Sequence, residues 1–495
     1  MGLESGEHGA KSTILGMLQY LDLSGEVPQG ATTVPQLNAL HAQYGVNRTN
    51  VAIVADGNVM LRAVPRLSYK EYASFLEREV HKLADVAKHV VIVFDDPSCL
   101  TTAKREEQSS RDANQKKKEI VSSDDVKCLP QTEFYSEEDI VDVSDVTDLV
   151  VRRATRIRLM DIVFCKIFAN MNRVASQQAR LLGAAPLTLT LDGIDKRGGR
   201  RPQGDARAPC IMSTDDRMSD VLRRDGAIGE GDMKMAAVED AIERHRRRDG
   251  SIVKTVGVVL THTIDTDSLM IHLISAAERA SRDVDDFASV LCLKERGRKR
   301  KQGDDGSSPY YNVVDMQKLL KTFLLMLFGA DTPYTRRMQR EAVALVALGT
   351  AACGCDYNRA SRIKGLRANE MYCILSDYMK HTTPHSLERM RGAWSNDTDA
   401  TRTTIFLFQD VLRLYSQSLS RGSYDVPRML SFHKSNGTVT KQRMKLSESL
   451  VDCDENDLLR AAWTAAYWSG HEFTDTHNFG FHSIVTDVDP DLDAR

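Results

Sequence analysis

Residues 51–56 read VAIVAD, residues 90–95 read VVIVFD, and residues 256–267 read VGVVLTHTIDTD. Each is a short run of aliphatic and β-branched residues that closes on acid: Asp56, Asp95, and the pair Asp265 and Asp267. Apolar runs of this length without helical period are strands buried on both faces, the kind found in parallel sheets. Between the first two runs, residues 67–88 place Leu67, Tyr72, Phe75, Leu76, Val80, Leu83 and Val86 at helical spacing. Strand, helix and strand then form a β-α-β unit, the connection that parallel strands require. Parallel strands present their carboxyl ends along one edge, where α/β folds bind ligands. The reading is therefore a doubly wound, mostly parallel α/β sheet flanked by helices, with acids gathered on its binding edge.

Composition narrows the class. With 42% apolar and 27% charged residues the chain has ample material for a core. A formal net charge of −3 means that any hold on nucleic acid rests on local basic patches. Nine cysteines, scattered singly apart from the C-x-C of Cys353 and Cys355, fit a reducing compartment and provide no zinc-ligand set. There is no apolar run of about 18 residues for a membrane span and no charged-then-apolar leader, so an intracellular protein of nucleus or cytoplasm is expected.

Further along, residues 150–183 have helical periodicity. Residues 193–210 (GIDKRGGRRPQGDARAPC) and 294–308 (KERGRKRKQGDDGSS) read as Gly- and Arg-rich loops. Helices are predicted from Glu230 to about Arg248, over 267–281, 313–329 and 339–352, and through most of the C-terminal half. The organisation expected is a core in two parts, 1–120 and 225–370, the second carrying a helical clamp region. A helical and disordered insertion at 121–224 separates them, and a helical region at 371–495 follows. The Arg-rich stretches 196–201 and 244–248 are candidates to track a phosphate backbone, and 294–301 reads as a localisation patch or a solvated loop. His262, Trp463 and Trp468 read as packing residues.

Acids brought to one edge repel one another and raise their own pKa values unless a cation sits among them. Hard oxygen ligands without a Cys/His set select Mg²⁺ or Mn²⁺. Two further elements add acids: GEGD, with Glu230 and Asp232 opening a helix, and GCDY, with Asp356 after a helix of small residues. Each alone reads as an ordinary helix start or turn.

In their order these elements resemble the 5′-nuclease superfamily of flap endonucleases, XPG and XRN 5′→3′ exonucleases, which have a PIN-like fold. LGMLQYLDLSG (Leu15 to Gly25) is similar to the opening helix of XPG-type nucleases. VADGNVML and VFDDP resemble the strands bearing the first two aspartates, with Asp96 where the family usually has glycine. AKREEQSSR resembles the XRN helix that holds a 5′-phosphate, and GEGDMKM resembles G-E-G-E-H-K-I-M, with aspartate in place of the second glutamate. IDTDSLMIHL is similar to D-A-D-L-I-M-L-G-L, and GCDY is the flap-endonuclease wording. IKGL (Ile363 to Leu366) resembles their duplex clamp without its second glycine, and AAWTAAYWSGHEF is faintly XRN-like.

The resemblance implies metal ligands at Asp56, Asp95, Glu230, Asp232, Asp265, Asp267 and Asp356, holding two Mg²⁺ or Mn²⁺ ions. It implies a 5′-phosphate pocket of Lys104, Gln108 and Arg111, with Lys104 and Arg111 neutralising the reacting phosphate. The activity implied is phosphodiester hydrolysis at a 5′ end of RNA or DNA, as an XRN-like 5′→3′ exonuclease or a flap endonuclease. A catalytically inactive nucleic-acid-binding or scaffold protein with the same fold is the alternative. A D-x-D phosphatase is disfavoured because the first strand ends Asp-Gly-Asn.

Overall fold

The computed structural model describes residues 51–62, 68–87, 89–94, 188–192, 231–249, 257–263, 267–280, 288–294, 311–328 and 336–355, with single helical positions between 159 and 177 and between 461 and 468. The core is a six-stranded sheet. Its strands are β1 (Val51–Asp56), β2 (His89–Val93), β3 (Thr188–Asp192), β4 (Val258–Thr263), β5 (Ala288–Lys294) and β6 (Tyr311–Asp315). They lie in the order β3-β2-β1-β4-β5-β6. The first five are mutually parallel, and β6 runs antiparallel to β5 on the edge.

The order explains the sequence pattern. β1 sits at the centre, and every residue of β1 except its terminal Asp56 is buried, as are all of β2 and β4. The chain adds strands outward from β1 to β2 and β3, then returns to the other side of β1 for β4 and β5. The direction of winding thus reverses between β1 and β4. Right-handed crossovers place the helix after β1 and the helix after β4 on opposite faces, which is why these strands show no polar alternation.

The first helix, α1 (Gly57–Arg62), follows β1 without a linker. The next, α2 (Tyr69–Val86), begins at Ser68, whose backbone N–H donates to Glu71 Oε2 at 2.9 Å, half of a capping box. Tyr69, Tyr72, Leu76, Val80 and Leu83 form its buried stripe. The Tyr72 hydroxyl donates to the Leu61 carbonyl at 3.2 Å and so ties α2 to α1.

Four more helices complete the described core: α3 (Gly231–Asp249), α4 (Asp267–Ala280), α5 (Met316–Phe328) and α6 (Arg336–Cys353). α3 lies across β1, β2 and β4, and α4 packs against α3, α5, α6 and β5. Small residues of α6, among them Ala342, Ala347 and Ala351, are buried and allow its close approach to α4. α6 stops at Gly354, whose φ of 105° is open to glycine at little cost. Among the described residues no helix is long and apolar enough to cross a membrane.

The expected β-α-β unit and the helices near 230–248, 267–281 and 339–352 are present. Three strands were not foreseen. β3 alternates Thr and Leu (TLTLD) between the span read as helix and the one read as loop, and in β5 (ASVLCLK) Ser289, Cys292 and Lys294 interrupt the aliphatic run. The helix expected over 313–329 begins at Met316, because Tyr311–Asp315 pairs with β5 as β6. The opening helix at 15–25, the loops 193–210 and 295–308, and Ile363–Leu366 lie outside the described residues, as does most of 371–495.

The turn from β1 into α1 leaves no space for a side chain at Gly57. A Cβ there would lie 2.6 Å from Cδ1 and Cζ of the fully buried Phe94 ring. Gly57→Ala is expected to cost about 1–3 kcal/mol by overpacking, read as a lower midpoint in thermal unfolding. Adding Phe94→Leu to Gly57→Ala should recover much of the loss; no recovery would place the cost in the backbone instead.

Candidate functional site

Register fixes what lies on the carboxyl edge. Asp56 is level with Val93 of β2, and Ala55 is level with His262 of β4. Asp95 therefore follows two residues beyond the row of Asp56, and Asp265 two residues beyond Thr263 on the neighbouring strand. Adjacent strands are about 4.8 Å apart, so Asp56 stands on the edge onto which β2 and β4 also open, at the switch in strand order where doubly wound sheets bind ligands. The same row extends outward to Asp192, which closes β3 level with Val93. The alternating TLTLD pattern was the signal that would have found it.

Of the residues expected in the site, Asp56, Asp232 and Asp267 are described. Asp95, Lys104, Gln108, Arg111, Glu230, Asp265 and Asp356 lie outside the described residues.

Asp56 has a local role as well. Its Oδ1 accepts the backbone N–H of Asn58 at 2.8 Å and of Val59 at 3.4 Å, capping α1 where the helix dipole favours an anion. Asp232 stands in the first turn of α3. Its Oδ1 accepts hydrogen bonds from the Ser268 hydroxyl and, at 3.4 Å, from the Thr263 hydroxyl. Thr263 ends β4 and Ser268 lies in the first turn of α4, with their hydroxyls 3.3 Å apart. Asp267, the first residue of α4, is only 5% exposed. A carboxylate buried to that extent needs strong hydrogen bonds or a cation to offset its lost hydration.

A residue that the sequence reading passed over completes the frame. Lys234, one turn into the GEGDMKM segment, is 3% exposed, and its Nζ donates to the Phe94 carbonyl at 3.0 Å. The first turn of α3 thus holds the end of β2 through Lys234 and the end of β4 through Asp232. β1, with Asp56, runs between those two strands.

The donor set, carboxylate with hydroxyl and no thiolate or imidazole, is that of a hard divalent cation. Among the described residues, no group of three His, Cys, Asp or Glu is close enough to hold a metal ion. Asp56, Asp232 and Asp267 do not form a complete site by themselves. The other four acids expected there belong to the segments that continue from these strand and helix ends.

Below this edge lies a buried charged network that sequence reasoning also missed. Glu239 of α3, with 0% exposure, faces Arg279 Nη2 at 3.0 Å and His272 Nδ1 at 3.1 Å, both from α4. It also accepts the hydroxyl of Thr261 from β4. Burial acts to raise the Glu239 carboxyl, but attraction to His272 and Arg279, with hydrogen bonds from His272 and Thr261, holds it at about 2. The network locks α3 and α4 to each other and to β4, below the point where both helices start.

His262 is buried within β4, as a packing residue should be, and Trp468 is fully buried, again as expected of a core side chain. Trp463 lies outside the described residues. The basic stretch Arg244–Arg248 stands at the far end of α3. About 1.5 Å of rise per residue puts Arg246 roughly 20 Å from Asp232, towards the opposite edge of the sheet. Compared with known proteins, the chain matches no family model and shows no significant similarity to a curated protein.

A carboxylate depressed by its partners stabilises the fold above its unfolded pKa, about 4.3, and that stability is lost as the pH falls towards 2. Thermal melts between pH 5 and 2, in the order-of-magnitude window set by these two values, should show a falling midpoint. Glu239→Gln should be less stable at neutral pH by about 3–5 kcal/mol, because it takes the carboxylate from a buried Arg279, and its midpoint should fall less steeply over the acid range. An unchanged acid slope in Glu239→Gln would assign that slope to other carboxylates.

Proposed function

We propose that the protein is a divalent-metal-dependent 5′ nuclease with a PIN-like core, hydrolysing phosphodiester bonds of RNA or DNA at the carboxyl edge of its sheet. The observation that carries this reading is the frame built on the first turn of α3. Asp232 is bound to the end of β4, Lys234 to the end of β2, and the strand between them ends on Asp56. In sequence, Asp95 follows the end of β2, Glu230 precedes α3 and Asp265 lies two residues after β4, so this reading gathers them at the same frame.

In this reading Asp56, Asp95, Glu230, Asp232, Asp265, Asp267 and Asp356 hold two Mg²⁺ or Mn²⁺ ions, some through water, since Mg²⁺ gives up its hydration shell reluctantly. When bound, such a pair supplies an activated water and stabilises the leaving oxygen of an in-line displacement. The chain's own residues do the rest. Ser268 and Thr263 orient the Asp232 carboxylate, and the N-terminus of α1 orients that of Asp56. Lys104, Gln108 and Arg111 receive the 5′-phosphate, with arginine able to grip it in bidentate fashion. GEGDMKM and AKREEQSSR favour 5′→3′ exonuclease action, and GCDY favours flap cleavage.

A second reading is a catalytically inactive nucleic-acid-binding or scaffold protein with this fold.

Cleavage of 5′-labelled single strands, flaps and RNA with Mg²⁺ or Mn²⁺ separates the two. The wild-type protein is expected to cut at least one substrate, and Asp267→Asn to lose at least about 100-fold, the scale of losing one preorganised electrostatic group at a reacting phosphate. Wild-type protein no more active than Asp267→Asn on every substrate would leave the binding reading. Lys104→Ala with Arg111→Ala should abolish preference for a 5′-monophosphate over a 5′-hydroxyl. Equal loss on both ends would remove the pocket.

A further inference from the structure

We infer that Lys234 is a positioning residue of the metal site, docking the end of β2 onto the start of α3 and so setting the position of Asp232 relative to Phe94, the residue directly after β2. The inference rests on the nuclease reading above, but its structural basis is independent of any bound ion. Lysine is among the residues least often buried, because its ammonium loses hydration. Here it is withdrawn almost completely from solvent to reach a main-chain carbonyl in another element.

The choice of carbonyl matters. Phe94 is the last residue before Asp95 in the chain, and its ring is the one that fills the space over Gly57, directly after Asp56. Holding the Phe94 carbonyl fixes the peptide that leads into Asp95. Two residues before Lys234, Asp232 is fixed in turn by Thr263 and Ser268. One turn of helix therefore grips both neighbours of β1, through a cation on one side and an anion on the other. The ammonium has a second effect. Seven carboxylates outweigh the charge of two divalent ions, and a fixed cation at the same edge lessens the repulsion that remains.

The reading of Lys234 as simple packing differs in one measurable respect. A packing residue affects stability, whereas a positioning residue also affects how tightly the edge holds a divalent ion. Mn²⁺ affinity measured by calorimetric titration of the full chain, with thermal melts in chelator as the control for folding, separates them. Lys234→Met keeps the apolar stem and removes the ammonium. It is expected to bind Mn²⁺ about tenfold more weakly than wild type, while Lys234→Arg, whose guanidinium can still donate to the carbonyl, stays within about threefold. The tenfold loss is on the scale of losing an outer-shell partner in metal sites.

If Lys234→Met does not fold, Lys234→Gln, which keeps a donor on a shorter stem, carries the same comparison. A folded Lys234→Met or Lys234→Gln that binds Mn²⁺ as tightly as wild type overturns the positioning role and leaves the nuclease reading intact. Wild-type protein that takes up no Mn²⁺ overturns the metal reading, and the inference with it.

Discussion

The parallel register of β1 with β2 and β4 is the constraint on which the rest of the molecule depends. With helices on both faces, these strands offer no position along their length where a charge is cheap. Ionised side chains are therefore displaced to the strand ends, and parallel direction sends all the carboxyl ends to one side. Asp56 ends β1, Asp192 ends β3, and the chain after β2 and β4 runs directly into Asp95 and Asp265. An edge bearing the carboxylates of Asp56 and Asp192 results from burying a parallel sheet in which β1 and β3 close on aspartate. That edge coincides with the place where the strand order reverses, and crevices open there because successive crossovers diverge to opposite faces.

What turns an edge into a candidate site is the way α3 is held against it. The helix makes three polar attachments: Asp232 to the end of β4 and the start of α4, Lys234 to the end of β2, and Glu239 to Thr261, His272 and Arg279. Buried ion pairs are weak evidence for stability, since desolvation consumes most of their attraction. Their effect is directional. A hydrophobic helix face tolerates sliding and rotation by a few tenths of an ångström, but a buried carboxylate bound to an arginine, a histidine and a hydroxyl does not. Glu239 fixes the rotation of α3 two turns below Asp232, so Asp232 inherits a defined orientation. The same helix carries its arginines to the opposite end, where any contact with a phosphate backbone lies away from the acidic edge.

Much of this was legible along the chain, and the exceptions have physical reasons. VAIVAD, VVIVFD and VVLTHT were visible as strands because burial on both faces leaves an unbroken apolar run. α2 was visible because one buried stripe, Tyr72, Leu76, Val80 and Leu83, gives a regular period. β3 was missed because Thr alternates with Leu in five residues and the flanking segments look like loop. β6 was missed because a short strand running into an apolar helix cannot be told from part of it by period alone, and β5 because Ser289, Cys292 and Lys294 interrupt its aliphatic run. Asp232 drew notice as an acid at a helix start and Asp267 as one of a strand-closing pair, yet nothing local distinguishes an aspartate capping a helix from one facing an ion. Asp56 shows why, since it caps α1 and stands on the candidate edge at once.

By itself, the sequence determined the class of the fold and that its first strand closes on an acid, because side-chain period and a strand-terminal acid are properties of consecutive residues. Only the tertiary structure decided which strands are neighbours, where winding reverses, and that Asp192 belongs to the same row as Asp56. It also decided that Lys234, Glu239, His272 and Arg279 are the buried charges that fix α3. Those facts depend on pairings between residues tens to more than a hundred positions apart, such as Lys234 with Phe94. Partners at that separation are chosen by packing of the whole core, and no local pattern encodes them.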